Sequence, residues 1–300
     1  MRLRTSWFDK NLASWTTDRF TFDKTVVRYM TDVGGVDAVR AVQDILPPAV
    51  RDVFVVVTHL GDPVLLGLLV VGFYYTRRDE TGGFVFGLAT GAVGLTAGLK
   101  GAIARPRPPT GLHAVAESGY ALPSGHALGS TVVLFALAET VDVASRRARY
   151  AVAAVTVGLV ALSRVAIGVH FPVDVVAGVA VGGVYLAVVS YDGYDAEIAF
   201  SAAVTVATIG VALGSEYRLA EAVGIPLGGY VAYHAVADRY DFADLLTDGD
   251  AVLVALLPAV ALGMVLPAGT ATLAETGVYA TATAGVFLAP HAMERVRQWL

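Results

Sequence analysis

The chain repeats one pattern: long apolar stretches almost free of charge, each closed by a short polar break. They fall at about 53–76, 83–103, 124–141, 149–168, 172–191, 196–213, 222–237, 250–267 and 272–290. At about 1.5 Å of rise per residue, roughly 20 helical residues cross the ~30 Å hydrocarbon core of a bilayer. Lipid offers no partner to an unpaired backbone N–H or C=O, so spans of this kind must be helices that satisfy their own backbone. The expected fold is therefore all-α, a polytopic transmembrane helix bundle. The overall balance agrees, with 56% hydrophobic residues, 16% charged and a mean hydropathy of +0.64, too apolar for an ordinary soluble domain. The stretch at 222–237 is short and carries His234, which makes it the weakest of the nine.

Three regions follow: a mixed, charged segment 1–50, five apolar segments over 51–195, and three or four more over 196–300. "TVVRYMTDVGGVDAVRAVQDILPP" has the pattern of one or two short amphipathic helices lying on the membrane surface. The N-terminus has no apolar run of the kind a cleaved signal needs. There is no cysteine, and the net charge of −5 comes without a basic tract, so no nucleic-acid footprint is expected. "TRRDE" (76–80) and "SRRAR" (145–149) fall on the same side by parity, and arginine-rich short loops are retained in the cytoplasm. The loop 101–123 and the stretch 163–171 then share the outer face, which predicts a cell-membrane protein with its chemistry on the extracytoplasmic side. By the same parity residues 1–50 fall outside despite their seven Arg and Lys.

Polar residues concentrate in three stretches, all on that outer face: "KGAIARPRPP" (100–109), "LPSGHALGS" (122–130) and "SRVAIGVHFPVD" (163–174). Ionisable groups at such boundaries are costly and mark function. Lys100, Arg107 and Arg164 supply three cations with no carboxylate beside them in the chain to neutralise them, an arrangement that invites a dianion. Ser124, preceded by Pro123, is a natural N-cap, so Gly125 and His126 open a helix whose free N–H groups attract anions. Pro172 suits a first helical turn. His170 then stands just before a helix and Asp174 in its first turn, where the carboxylate can hold one imidazole nitrogen and leave the other free to attack. A nucleophilic histidine with a carboxylate partner, a second histidine, three cations and two helix N-termini make up the inventory of phosphoryl transfer. The lack of a carboxylate cluster implies that no metal or other cofactor is required.

Lys100 to Pro108 (K-x6-R-P), Pro123 to His126 (P-S-G-H) and Ser163 to Asp174 (S-R-x5-H-x3-D) resemble the three signature motifs of the type 2 phosphatidic acid phosphatase (PAP2) superfamily, complete and in order. The resemblance covers about 51–195. It implies that His170 forms a phosphohistidine, that Asp174 orients it, and that His126 protonates the leaving oxygen and then activates water. It further implies that Lys100, Arg107 and Arg164, with Ser124 and the Gly125 amide, hold the phosphate of a lipid substrate. Set against the usual six helices of that family, the expectation is a chain without the first and with three or four more at its C-terminus.

Arg105 and Ser163 stand beside the motifs as supporting residues. The six-residue spacing from Lys100 selects Arg107, leaving Arg105 to contact headgroups or brace the site, and Ser163 reads as a helix-end hydroxyl. His59, near Gly61 and Pro63, marks a bend in the first apolar segment; His113 reads as exposed, and His234 and His291 lie far from the motifs. "DRYDFADLLTDGD" (238–250) reads as a solvated loop. Two other functions share parts of this pattern: a vanadium-dependent haloperoxidase, whose vanadate mimics pentacoordinate phosphorus, and a non-enzymatic lipid carrier. The apolar composition opposes the first and the three intact motifs oppose the second.

Overall fold

A computed structural model describes residues 35–77, 79–213, 217–236 and 270–299, with side chains to 293. The segment 250–267, the acidic stretch 238–250 and residues 1–34 lie outside it. The described residues form ten α-helices and no strand: α1 Gly35–Ile45, α2 Pro48–Val57, α3 Pro63–Thr76, α4 Glu80–Ile103, α5 Gly125–Thr140, α6 Arg146–Ala166, α7 Pro172–Val189, α8 Ala196–Ala212, α9 Leu219–Val236 and α10 Thr270–Trp299.

Helix starts follow local chemistry. Asp62, Asp79, Ser124, Ser145 and Asp195 each cap a helix with a side-chain oxygen, and Pro48, Pro63 and Pro172 occupy the first turn, where a missing N–H costs nothing. The first apolar segment is broken at Thr58–Gly61, a single 3-10 turn, and the two halves are bent by 41°. Helices α4, α6 and α7 are long and apolar enough to cross a membrane, and the bent α2–α3 pair is so when the two halves are taken together. Val152, Val155 and Leu162 of α6 and Val176, Val184 and Val188 of α7 point out of the bundle. Apolar exteriors of this kind suit a hydrocarbon surround.

Helix α4 is the hub, lying against α8 most extensively and also against α3, α5 and α9. The α4–α8 approach depends on small residues. A Cβ on Gly98 would come 2.8 Å from the Cα of Gly210, and one on Gly87 would come 2.9 Å from the Cβ of Ala199. Where lipid competes for every apolar surface, close backbone contact of this sort is what holds helices together. One apolar core runs from Leu66 and Tyr74 of α3 through Leu128 and Phe200 to Phe287 of α10.

The apolar face of α1, expected to lie on the membrane surface, is taken up by the protein itself. Val39 is fully buried in a second cluster with Val165, Phe171 and Val175, and Gln43 Nε2 donates to the carbonyls of Leu112 and Ala166. Arg77 pairs with Asp142 at 3.2 Å, so the two arginine-bearing loops meet at one end of the bundle. The three polar stretches meet at the other.

Candidate active site

Helix α4 stops at Ala104, whose left-handed backbone (φ 50°) turns the chain across the mouth of the bundle. The following loop is tied down at both ends. Ala114 N–H donates to Ile167 and Ala121 N–H donates to Arg105, and Ser124 N–H reaches the Asp174 carbonyl, joining the starts of α5 and α7. The same junction explains Gly178, where a Cβ would sit 2.6 Å from the Ser124 carbonyl oxygen.

His170 is buried at the turn between α6 and α7. Its Nδ1 faces Asp174 Oδ2 at 3.4 Å and its Nε2 lies 3.0 Å from Arg107 Nη1. A guanidinium N–H can only donate, so Nε2 must carry the lone pair and Nδ1 the proton. The tautomer that keeps the lone pair on Nε2 is thus set from both sides. Burial first, then the charge of Arg107, hold the imidazole well below its ordinary pKa, in the neutral form a nucleophile needs.

Asp174 is itself fixed. Its Oδ2 accepts the Phe171 N–H at 2.8 Å, and its Oδ1 pairs with Arg105 Nη1 at 2.8 Å, both side chains being buried. The Arg105 guanidinium lies over the Phe171 ring, 4.6 Å from its centre. Arg105 therefore braces the site from behind and does not reach toward headgroups. Ser163 is equally structural: its hydroxyl donates to the Val160 carbonyl at 2.7 Å inside α6.

On the open side, Arg107 also donates to the carbonyls of Ser118, Gly119 and Val169. Arg164 Nη1 donates to the Thr58 hydroxyl at 2.9 Å and lies 3.5 Å from His126 Nε2. Ser124 caps α5 by accepting the Ala127 N–H, although at 3.5 Å the bond is weak. Gly125 leaves room for its neighbours: a Cβ there would sit 3.1 Å from Thr96 and 3.9 Å from the Lys100 stem. Lys100 Nζ donates to the Tyr120 carbonyl. Lys100, Arg107, Gly125, His126, Arg164 and His170 all line one cavity.

Two residues escaped the sequence reading. The cations are not unaccompanied: Glu117 bridges them, with Oε1 3.2 Å from Arg107 Nη2 and Oε2 2.5 Å from Arg164 Nη2. Burial pushes its pKa up, but the Arg164 charge and hydrogen bond outweigh that and keep it ionised. Any anion entering between the guanidiniums would have to displace this carboxylate or bind beside it. The available signal was that Glu117 is the only acidic residue between Lys100 and Ser124. The second is Thr58, buried at the broken helix, whose acceptor for Arg164 gives the break a purpose. His59 lies beside it and lines the cavity, exposed. His113 is half-buried rather than exposed, and its Nε2 lies 2.9 Å from the Pro108 carbonyl. His291 stands against Tyr74, far from the site.

Comparison with known proteins points the same way. Residues 81–198 match the PAP2 superfamily, a span that contains all three polar stretches. Phosphatidylglycerophosphatase B of Bacillus subtilis (strain 168) is 31% identical over 161 residues, which cover 50% of this chain and 78% of that protein. The crystal structure of the first transmembrane PAP2 type phosphatidylglycerolphosphate phosphatase from Bacillus subtilis is 28% identical, covering 56% of this chain and 90% of that one, with a TM-score of 0.48. With the motifs assembled at one end of the bundle and the relative matched over more than three quarters of its length, the chain belongs to the PAP2 superfamily.

Proposed function

We propose that this protein is an integral-membrane phosphatase that cleaves a lipid phosphate or pyrophosphate through a phosphohistidine, without a metal, on the extracytoplasmic face of the cell membrane. The observation that carries the proposal is the bracketing of His170 between Asp174 at Nδ1 and Arg107 at Nε2. The positive charge of Lys100, Arg107 and Arg164 supplies what a metal would otherwise provide, stabilisation of the equatorial oxygens as phosphorus becomes five-coordinate. Their placement opposite the arginine-bearing loops supports the extracytoplasmic side.

In the first step His170 Nε2 attacks phosphorus, and the P–O bond to the lipid breaks as the P–N bond forms. His126 gives a proton to the departing oxygen. In the second step His126 takes a proton from water, the water oxygen attacks phosphorus, and the P–N bond breaks to release inorganic phosphate. Asp174 steadies the charge on the ring throughout, and Arg105 steadies Asp174. Ser124 and the Gly125 amide add neutral donors at the helix N-terminus.

The test is phosphate release by the protein in detergent with EDTA present, on phosphatidic acid, phosphatidylglycerol phosphate and a polyprenyl pyrophosphate. The expected result is turnover of at least one, abolished by His170→Ala, with an acid-labile phosphoenzyme that builds up in His126→Ala. No turnover on any of them, or wild-type rates from His170→Ala, refutes the proposal.

A further inference from the structure

The cavity that holds the site does not end there. It extends to about 840 Å³, within the ~300–1,000 Å³ typical of ligand sites. Past Lys100 and His126 its lining turns apolar, with Val70 and Val71 from α3, Val93 from α4, Ile225 from α9 and Ala282 and Val286 from α10. The charged liners away from the motifs, Asp62, Arg218 and Glu221, stand at the site end. Asp62 acts electrostatically on His126, and Tyr217, next to Arg218, packs its ring 5.2 Å from Tyr120 of the site loop.

The far wall belongs to helices outside the family-matched residues 81–198. Helices α9 and α10 are locked together at Gly224 and Gly228, where a Cβ would come 2.6 Å from the Thr276 oxygen and 2.1 Å from the Ala280 oxygen. The pair is pinned to α3 at the end away from the site. Tyr74 and Tyr75 hydroxyls donate to the carbonyls of Phe287 and Val286 at 3.1 and 2.9 Å, and Tyr74 stacks on Phe287 at 4.5 Å. Between that pin and the site, α3 and α10 stand apart across the cavity. On α3, a Cβ on Gly67, which also lines it, would meet nothing within 4 Å.

We propose that α9 and α10 form the wall of a chamber that takes one hydrocarbon chain of the lipid phosphate and sets the chain length accepted. This rests on the phosphatase reading above. The occupant follows from continuity: whatever binds by a phosphate at His170 must place the group attached to that phosphate along the same cavity, and its lining there is apolar.

The test compares kcat/KM for hexyl and hexadecyl phosphate in the wild type, in Gly67→Leu and in Ala282→Trp. A side chain at Gly67 projects into open space and Ala282 is exposed, so folding tolerates both substitutions. The expected result is a loss of about tenfold or more on hexadecyl phosphate, as for an overpacked site, with hexyl phosphate hardly changed. Equal losses on both chains, or no loss on either, overturn the proposal. If the wild type cleaves neither, the phosphatase reading is decided by the three lipid substrates named above. The chamber is then judged by binding of hexadecyl phosphonate, which Gly67→Leu weakens if the chamber holds the chain and leaves alone if it does not.

Discussion

Arg105 sits outside the residues the family motifs select, yet it makes the most buried ion pair of the site. Its Nη1 lies 2.8 Å from Asp174 Oδ1, with the two side chains 1% and 0% exposed. Replacing it with methionine keeps much of the volume and removes the charge, leaving a buried carboxylate with the Phe171 N–H and a neutral imidazole. Breaking a buried pair by deleting one partner costs about 3–5 kcal/mol. At about 2–4 °C per kcal/mol for a chain of this order, the midpoint of thermal unfolding in detergent falls by about 6–20 °C. The chemistry suffers separately. The uncompensated Asp174 charge raises the pKa of His170, so the acid limb of kcat/KM moves to higher pH, a change that general destabilisation does not produce. Combining Arg105→Met with Asp174→Asn buries no unpaired charge, so the double variant recovers much of the lost midpoint, a coupling of up to about 3 kcal/mol, while turnover stays low. The reasoning is wrong if Arg105→Met melts with the wild type and keeps its pH profile, or if the double variant is no more stable than the two single losses together imply.

Two further outcomes follow from the geometry. Because burial and then Arg107 hold His170 well below the ordinary histidine range, its reactive neutral form persists as pH falls, and the acid limb of kcat/KM lies below pH ~6.5. Arg107→Met removes a cation beside the ring, so the limb moves up while KM rises; a pH–rate profile showing no shift contradicts the assignment. At Gly228, valine would drive a Cβ into the Ala280 carbonyl, forcing α9 and α10 apart at a cost of about 1–3 kcal/mol. A lower melting midpoint for Gly228→Val than for Val231→Ala, on the exposed face of α9, checks this.

Much of the molecule was legible in the sequence because it rests on interactions within a few positions. The apolar stretches show as unbroken runs of one polarity, and the Ser124 and Pro172 helix starts, the bend at Thr58–Gly61 and the His170–Asp174 pair all lie inside one or two helical turns, where spacing translates directly into geometry. What the sequence left open is what distant segments do to one another. Glu117 meets Arg164 across 47 positions, Arg105 meets Asp174 across 69, and Thr58 meets Arg164 across 106. The amphipathic pattern of α1 is the same whether its face meets lipid or Phe171, and only packing decides for Phe171. In the same way the apolar faces of α9 and α10 specify burial but not against what. Hydrophobicity has no direction, so the choice of neighbour, and with it the cavity beside His170, belongs to the tertiary structure.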